Sequence, residues 1–261
     1  MSAVLTTEVP HRLTRARVVA LCVLYTPLSL WALVMCAAGP AVALFGAQPD
    51  PSIRFTGVAA GAFKALTVGP ALAVLLSRGR SVLAVRALVV GQAVWLAADL
   101  LAPEEDITAP SRLLQYAVST ALWVGPWLLL APGRAALWRQ RLVVRRRLLV
   151  LAAVAAAPLV GWAVLTSRGD LVSGLGGDAL ELRFDMTGMP LALLAGLVLA
   201  AVHDGRWWDR LVATCFLVIG ALALVYPDAY GAPGRAAGLL VPLGAAVALA
   251  GRSVRGLPPA T

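Results

Sequence analysis

The chain has 261 residues, of which 60% are hydrophobic and 13% charged, and a formal net charge of +9. Soluble globular chains run at roughly 45 to 50% apolar and about 25% charged, so this composition excludes a soluble domain as the main body. Nucleic acid is excluded as the partner of the basic residues, because they are scattered between apolar runs instead of gathered on one soluble face with stacking aromatics.

Apolar runs bounded by charged breaks predict eight transmembrane helices near residues 18–39, 57–77, 82–102, 113–131, 148–166, 187–203, 211–226 and 236–251. Each is near the ~20 residues that a helix needs to cross a hydrocarbon core, the last three being at the short limit. The expected fold is an all-α polytopic bundle of two four-helix units, 18–131 and 148–251. A basic linker, 132–147, joins them, and short segments, 1–17 and 252–261, flank them. Arg12, Arg15 and Arg17 ahead of the first run have the charge pattern of a signal peptide, but the run is too long for one. The first helix is therefore expected to be retained.

Eight spans place alternate loops on opposite sides, so the charge distribution tests the count. One side receives Arg12, Arg15, Arg17, Arg78, Arg80, the six arginines from Arg134 to Arg147, then Arg206, Arg210, Arg252 and Arg255. The other receives Arg54, Arg112, Arg168, Arg183 and Arg235 with most of the acids, among them Glu104, Glu105, Asp106, Asp185 and Asp228. Arginine marks the cytoplasmic side, which puts both ends in the cytoplasm of a bacterial cell membrane.

The two halves echo each other. Pro27, Leu28, Trp31 and Ala32 return as Pro158, Leu159, Trp162 and Ala163. Arg54, Phe55 and Gly57 return as Arg183, Phe184 and Gly188, and Gly79 with Arg80 as Gly205 with Arg206. A duplicated unit with an even number of spans requires parallel halves, related by an axis along the membrane normal. With its basic loop between second and third spans, the four-helix unit resembles the DoxX-like group of small bacterial membrane proteins, here in tandem. That resemblance implies fold and location, and it carries no catalytic motif across.

Ionisable groups inside spans are costly and mark function by default. Here they are Lys64, Arg86 and Asp99. Arg86 lies close enough to the basic end of its span to reach the interface by snorkelling. Lys64 and Asp99, on neighbouring antiparallel spans, have depths that permit an ion pair. Gln92, Trp95 and Asp99 share one helical face, as do Gly57, Gly61 and Lys64 on the preceding span. The expectation is a polar intramembrane site of Lys64, Asp99 and Gln92, serving either a ligand or helix register.

Arg145, Arg146 and Arg147 are expected to contact anionic lipid headgroups, and Trp123, Trp127, Trp138, Trp207 and Trp208 to act as interfacial anchors. Gly57, Gly61, Gly69 with Pro70, and Gly125 with Pro126 read as packing and kink positions. Cys22, Cys36 and Cys215 have no metal-ligand spacing, and only two histidines, His11 and His203, are present. No catalytic residues, metal or cofactor are therefore expected. The Glu104, Glu105 and Asp106 cluster reads as solvated. The partners expected are the lipid bilayer and a membrane protein. The function classes in competition are a small-molecule or lipid carrier, a non-catalytic scaffold or accessory subunit of a membrane complex, and, last, a membrane enzyme.

Overall fold

The computed structural model describes residues 14–46, 51–102, 109–130, 142–169, 179–203 and 205–252. Among them every regular element is helical: α1 Arg15–Phe45, α2 Pro51–Thr67, α3 Pro70–Leu76, α4 Val82–Leu101, α5 Ala109–Leu130, α6 Arg146–Ser167, α7 Ala179–Val202, α8 Arg206–Val225 and α9 Leu240–Arg252. Helix is the state in which a segment satisfies its own backbone groups where no water can.

Six of these helices, α1 and α4 to α8, are long and apolar enough to cross a membrane. Large apolar side chains stand exposed on the outer faces of α1 (Val23, Leu30, Val34), α5 (Leu114, Leu122, Leu129) and α6 (Val150, Val154). Water would not tolerate that surface, and lipid does. The protein is a multi-pass membrane protein.

The expected second span is broken. Pro70 has no N–H to give and cannot continue α2, so the chain turns at Val68 and Gly69 and restarts as α3, bent by 44°. The expected last span likewise begins with a 3₁₀ turn, Gly234–Leu239, before the 13-residue α9.

Four helices form the centre. α2 packs on α4, α7 and α8, and α7 packs on α4 and α8, while α1, α5, α6 and α9 lie outside them. Phe55, Phe63, Met186, Met189, Trp208 and Phe216 are fully or almost fully buried there. A second core joins α1 to α5 through Leu21, Tyr25, Trp123 and Trp127.

The arginine-bearing ends meet on one side. Trp127, near the end of α5, donates its indole N–H to the Gly79 carbonyl in the α3–α4 turn, 2.7 Å away. Leu21 of α1 lies against the same glycine, whose φ of +76° favours a residue without a side chain. Arg86 reaches His203 at the end of α7, and Arg145 reaches α8 and α9. Trp123, Trp127 and Trp208 are thus interior residues, with Trp208 donating to the Gly196 carbonyl, instead of interfacial anchors. Trp207 is the exposed member of its pair, and Trp138 lies outside the described residues.

Glycine sets the α1–α2 separation. A Cβ on Gly57 would stand 2.6 Å from the Gly39 carbonyl oxygen, one on Gly39 would press into the Gly57 carbonyl, and one on Gly61 would strike the Pro40 ring at 2.5 Å. This is the close approach that a small-xxx-small stripe permits. Gly39→Ala should therefore lower stability by about 1–3 kcal/mol, the cost of overpacking. Gly125→Ala, with nothing within 4 Å of the new carbon, should stay within about 0.5 kcal/mol of the parent. Melting of both variants in one detergent checks the contrast, and equal losses would remove the close-approach account.

Candidate functional site

Two polar clusters are built into the bundle, one in the half remote from the arginine-bearing ends and one at those ends. In the first, Lys64 of α2 and Asp185 of α7 form an ion pair at 2.8 Å, with side chains 18% and 17% exposed. The geometry corrects the expected Lys64–Asp99 pair. Asp99 pairs instead with Arg112 of α5 at 3.6 Å, and Arg112 also bonds the Asp99 carbonyl. Gln92 is held apart from both, accepting from Ser119 of α5 at 2.7 Å.

The missed partner has a physical reason. Asp185 reads in the sequence as a loop acid just ahead of the sixth span, but α7 begins at Ala179, so Asp185 lies within the helix. Direct packing of α2 on α7 then brings it to Lys64. The clue available in the sequence was that Lys64 is the chain's sole lysine, set at a depth where it needs a partner.

An aromatic group stands beside the pair. Phe63 stacks on Trp95 with centroids 5.5 Å apart, and Phe184 meets Phe63 and Trp95 edge-on at 5.9 and 5.5 Å. Trp95 donates its indole N–H to the Thr67 hydroxyl, which donates to the Phe63 carbonyl. These bonds fix the walls. Thr187, two residues beyond Asp185, is fully buried with its hydroxyl unpartnered. At the junction of α2, α4, α7 and α8 lies a cavity of about 10 Å³, lined by Thr67, Gly91 and Trp208 among others. That is space for about one water.

The second cluster is organised by Arg145. Its guanidinium donates to both Asp209 carboxylate oxygens at 2.9 and 2.8 Å, to the Ala200 and His203 carbonyls and to the Ala250 carbonyl. Carbonyls at helix C-termini lack helical partners, and a cation there meets the negative end of the dipole. The Arg145 side chain is only 9% exposed, so it is a clasp between helix ends and is not turned to headgroups. Arg146 and Arg147 are exposed.

Next to the clasp, Arg86 donates to His203 Nε2 at 2.7 Å. His203 is pushed down to about 4, by burial first and by the Arg86 charge second. A neutral ring accepts the bond, whereas a protonated one would set two cations face to face.

Among the described residues no group of three or more His, Cys, Asp or Glu could hold a metal ion. Cys22, Cys36 and Cys215 are free thiols. The Glu104, Glu105 and Asp106 cluster, and most of the basic linker, lie outside the described residues. No protein-family model, curated protein or solved structure matches this chain.

Two measurements follow. Lys64→Ala strands the Asp185 carboxylate, so it should destabilise the bundle more than Lys64→Ala combined with Asp185→Ala, with a coupling of about 1–3 kcal/mol. Additive losses in that cycle would sink the pair. His203 is neutral in folded and unfolded chains above its ordinary value of 6.5. Below it the unfolded chain takes up a proton that the folded chain refuses, so stability should fall as the pH drops from 6.5 towards about 4. The melting temperature followed across that window should decline less steeply in His203→Gln, and parallel declines would exclude the histidine as the cause.

Proposed function

We propose that this chain is a bacterial cytoplasmic-membrane protein with both termini in the cytoplasm, made of eight spans in two four-helix halves, and that it handles a small molecule or lipid at Lys64 and Asp185. The α2–α3 pair counts as one bent span, and the 3₁₀ turn with α9 as another. The exchange of helix contacts supports a duplication. α1 packs on α2 as α6 does on α7, α4 on α5 as α8 on α9, α2 on α4 as α7 on α8, and α1 on α5 as α6 on α9. Between the halves, the α2–α8 contact mirrors the α4–α7 contact, which leaves α2 against α7 on the axis itself. Thr56 and Gly57 are separated from Thr187 and Gly188 by the same step as Pro27 from Pro158 and Trp31 from Trp162.

Convergence of Arg15, Arg17, Arg78, Arg80, Arg145, Arg206 and Arg210 on one end supports the orientation, since cytoplasmic loops collect arginine. The basic turn between α3 and α4 keeps the DoxX-like resemblance in the proposal, as a likeness of helix count and loop character.

The observation that carries the functional reading is the Lys64–Asp185 pair. It lies on the two axial helices, where parallel-repeat carriers hold their substrates. It is partly open, with side chains 18% and 17% exposed. A ligand that carries both signs of charge can pair with Lys64 and Asp185 at once, whereas a singly charged one would leave one of them unpaired.

A scaffold or accessory subunit is the second reading. It is favoured by the water-sized cavity between α2, α4, α7 and α8, and by the exposed apolar faces of α1 and α5, which a membrane protein partner would cover. A membrane enzyme comes last, since no acid, base and nucleophile converge in the clusters described.

Native mass spectrometry of the full chain in mild detergent separates the first two. Wild-type protein should carry a bound mass that Lys64→Ala with Asp185→Ala loses. Identical, ligand-free spectra for both would overturn the carrier reading in favour of the scaffold. Reporter fusions at Arg80 and Tyr230 should report opposite faces, and the same face would overturn the eight-span topology.

A further inference from the structure

We propose that the seam between α6 and α9 binds one anionic phospholipid of the leaflet at the arginine-bearing end. The two outer seams of the bundle are built differently. In the α1–α5 seam Tyr25 and Trp127 are fully buried, Trp123 is nearly so, and the Tyr25 hydroxyl donates to the Trp123 carbonyl at 2.7 Å. The seam is closed by aromatic rings.

In the α6–α9 seam the step that relates Trp31 to Trp162 brings Ala156 to the place of Tyr25. α9 is rich in alanine, with Ala245, Ala246, Ala248 and Ala250. Small side chains cannot fill the same gap. What remains is an open groove of about 670 Å³, walled by Val150 and Leu151 of α6 and by Ala246 and Leu249 of α9. That volume is in the range of ligand pockets, about 300–1,000 Å³.

Charge selects the occupant. Arg146 and Arg147 line the same groove and are exposed, while the third arginine of the run, Arg145, is spent on Asp209. The first turn of α6 has no acidic residue and no side-chain cap, so the positive end of the helix dipole adds to the guanidinium charge. A phosphate at the mouth satisfies these groups, and an acyl chain running from it covers Val150 and Leu249, which are 62% exposed each. One molecule with both parts is an acidic glycerophospholipid. A free phosphate would leave the groove empty, and a zwitterionic lipid, whose own cation offsets its phosphate, would leave the two arginines without a net counter-charge.

The site is separate from Lys64 and Asp185, so either proposal can fail alone. The test is native mass spectrometry of the full-length chain in mild detergent, titrated with phosphatidylglycerol or phosphatidylcholine. One phosphatidylglycerol per chain should be retained in preference to phosphatidylcholine. Arg146→Ala with Arg147→Ala should weaken retention roughly thirtyfold, from about 1 kcal/mol for each arginine near the surface. Ala246→Phe keeps both charges and fills the groove, and it should also abolish retention while the protein melts as the wild type does. Should that variant fold poorly, Leu249→Trp blocks the groove from its outer edge. Equal retention of both lipids would overturn the proposal. So would full phosphatidylglycerol retention in a folded groove-filling variant, which would mark general attraction to a basic surface.

Discussion

Arg145 is the contact on which the arginine-bearing end of the bundle depends. At that end α7 and α9 stop and α6 and α8 start, and the terminating helices present carbonyls without helical partners. A single guanidinium answers carbonyls from both α7 and α9 while one of its nitrogens donates to both carboxylate oxygens of Asp209 in the first turn of α8. The backbone adds to the clasp, because the Val143 and Arg145 amides donate to the Val202 and Ala201 carbonyls. Arginine is suited to this place as lysine is not. Its planar fork keeps donors aimed in several directions at once and it stays charged when buried.

The same rule, that no charge stays alone in an apolar setting, explains the rest of the polar interior. Lys64 has Asp185, Asp99 has Arg112, and Arg86 has the neutral ring of His203. Each contact joins different helices, so each both neutralises a cost and fixes the position of one helix against another. Removing one partner is expensive in such a place, whereas removing both is much less so. The polar residues therefore report packing more directly than the abundant leucines and alanines, which fit many arrangements.

The sequence made the helical class and the membrane setting legible because both follow from where apolar runs stop. Arg15, Arg78, Arg145 and Arg206 fall at or next to helix starts or turns, close to the breaks at which the hydropathy pattern ends. Two things were hidden. The break at Val68 and Gly69 depends on Pro70 and on local backbone geometry, and a hydropathy average runs straight across it. The partner of Lys64 depends on which helices meet. Spacing along one helix places Gln92, Trp95 and Asp99 on a shared face, but it does not say whether α5 or α2 covers that face. In the structure Gln92 and Asp99 both go to α5, through Ser119 and Arg112, while Trp95 goes to Thr67 of α2.

The tryptophans show the same limit from the other direction. Trp127 and Trp208 stand near helix ends, where an indole is a good interfacial anchor, and by position alone that is the natural reading. Yet both rings are buried and both N–H groups are taken by glycine carbonyls, at Gly79 and Gly196. A ring of that size fits inside only where the neighbouring backbone has no side chain in the way, and glycine supplies the space and an accessible carbonyl together. On the α9 side the buried ring is Trp162, whose N–H goes to the Gly231 carbonyl towards the other end of α6, while no ring lines the groove between Val150 and Leu249, which stays open. In this bundle the placement of a few large rings, more than the number of apolar residues, decides which seams are sealed by protein and which are left for lipid.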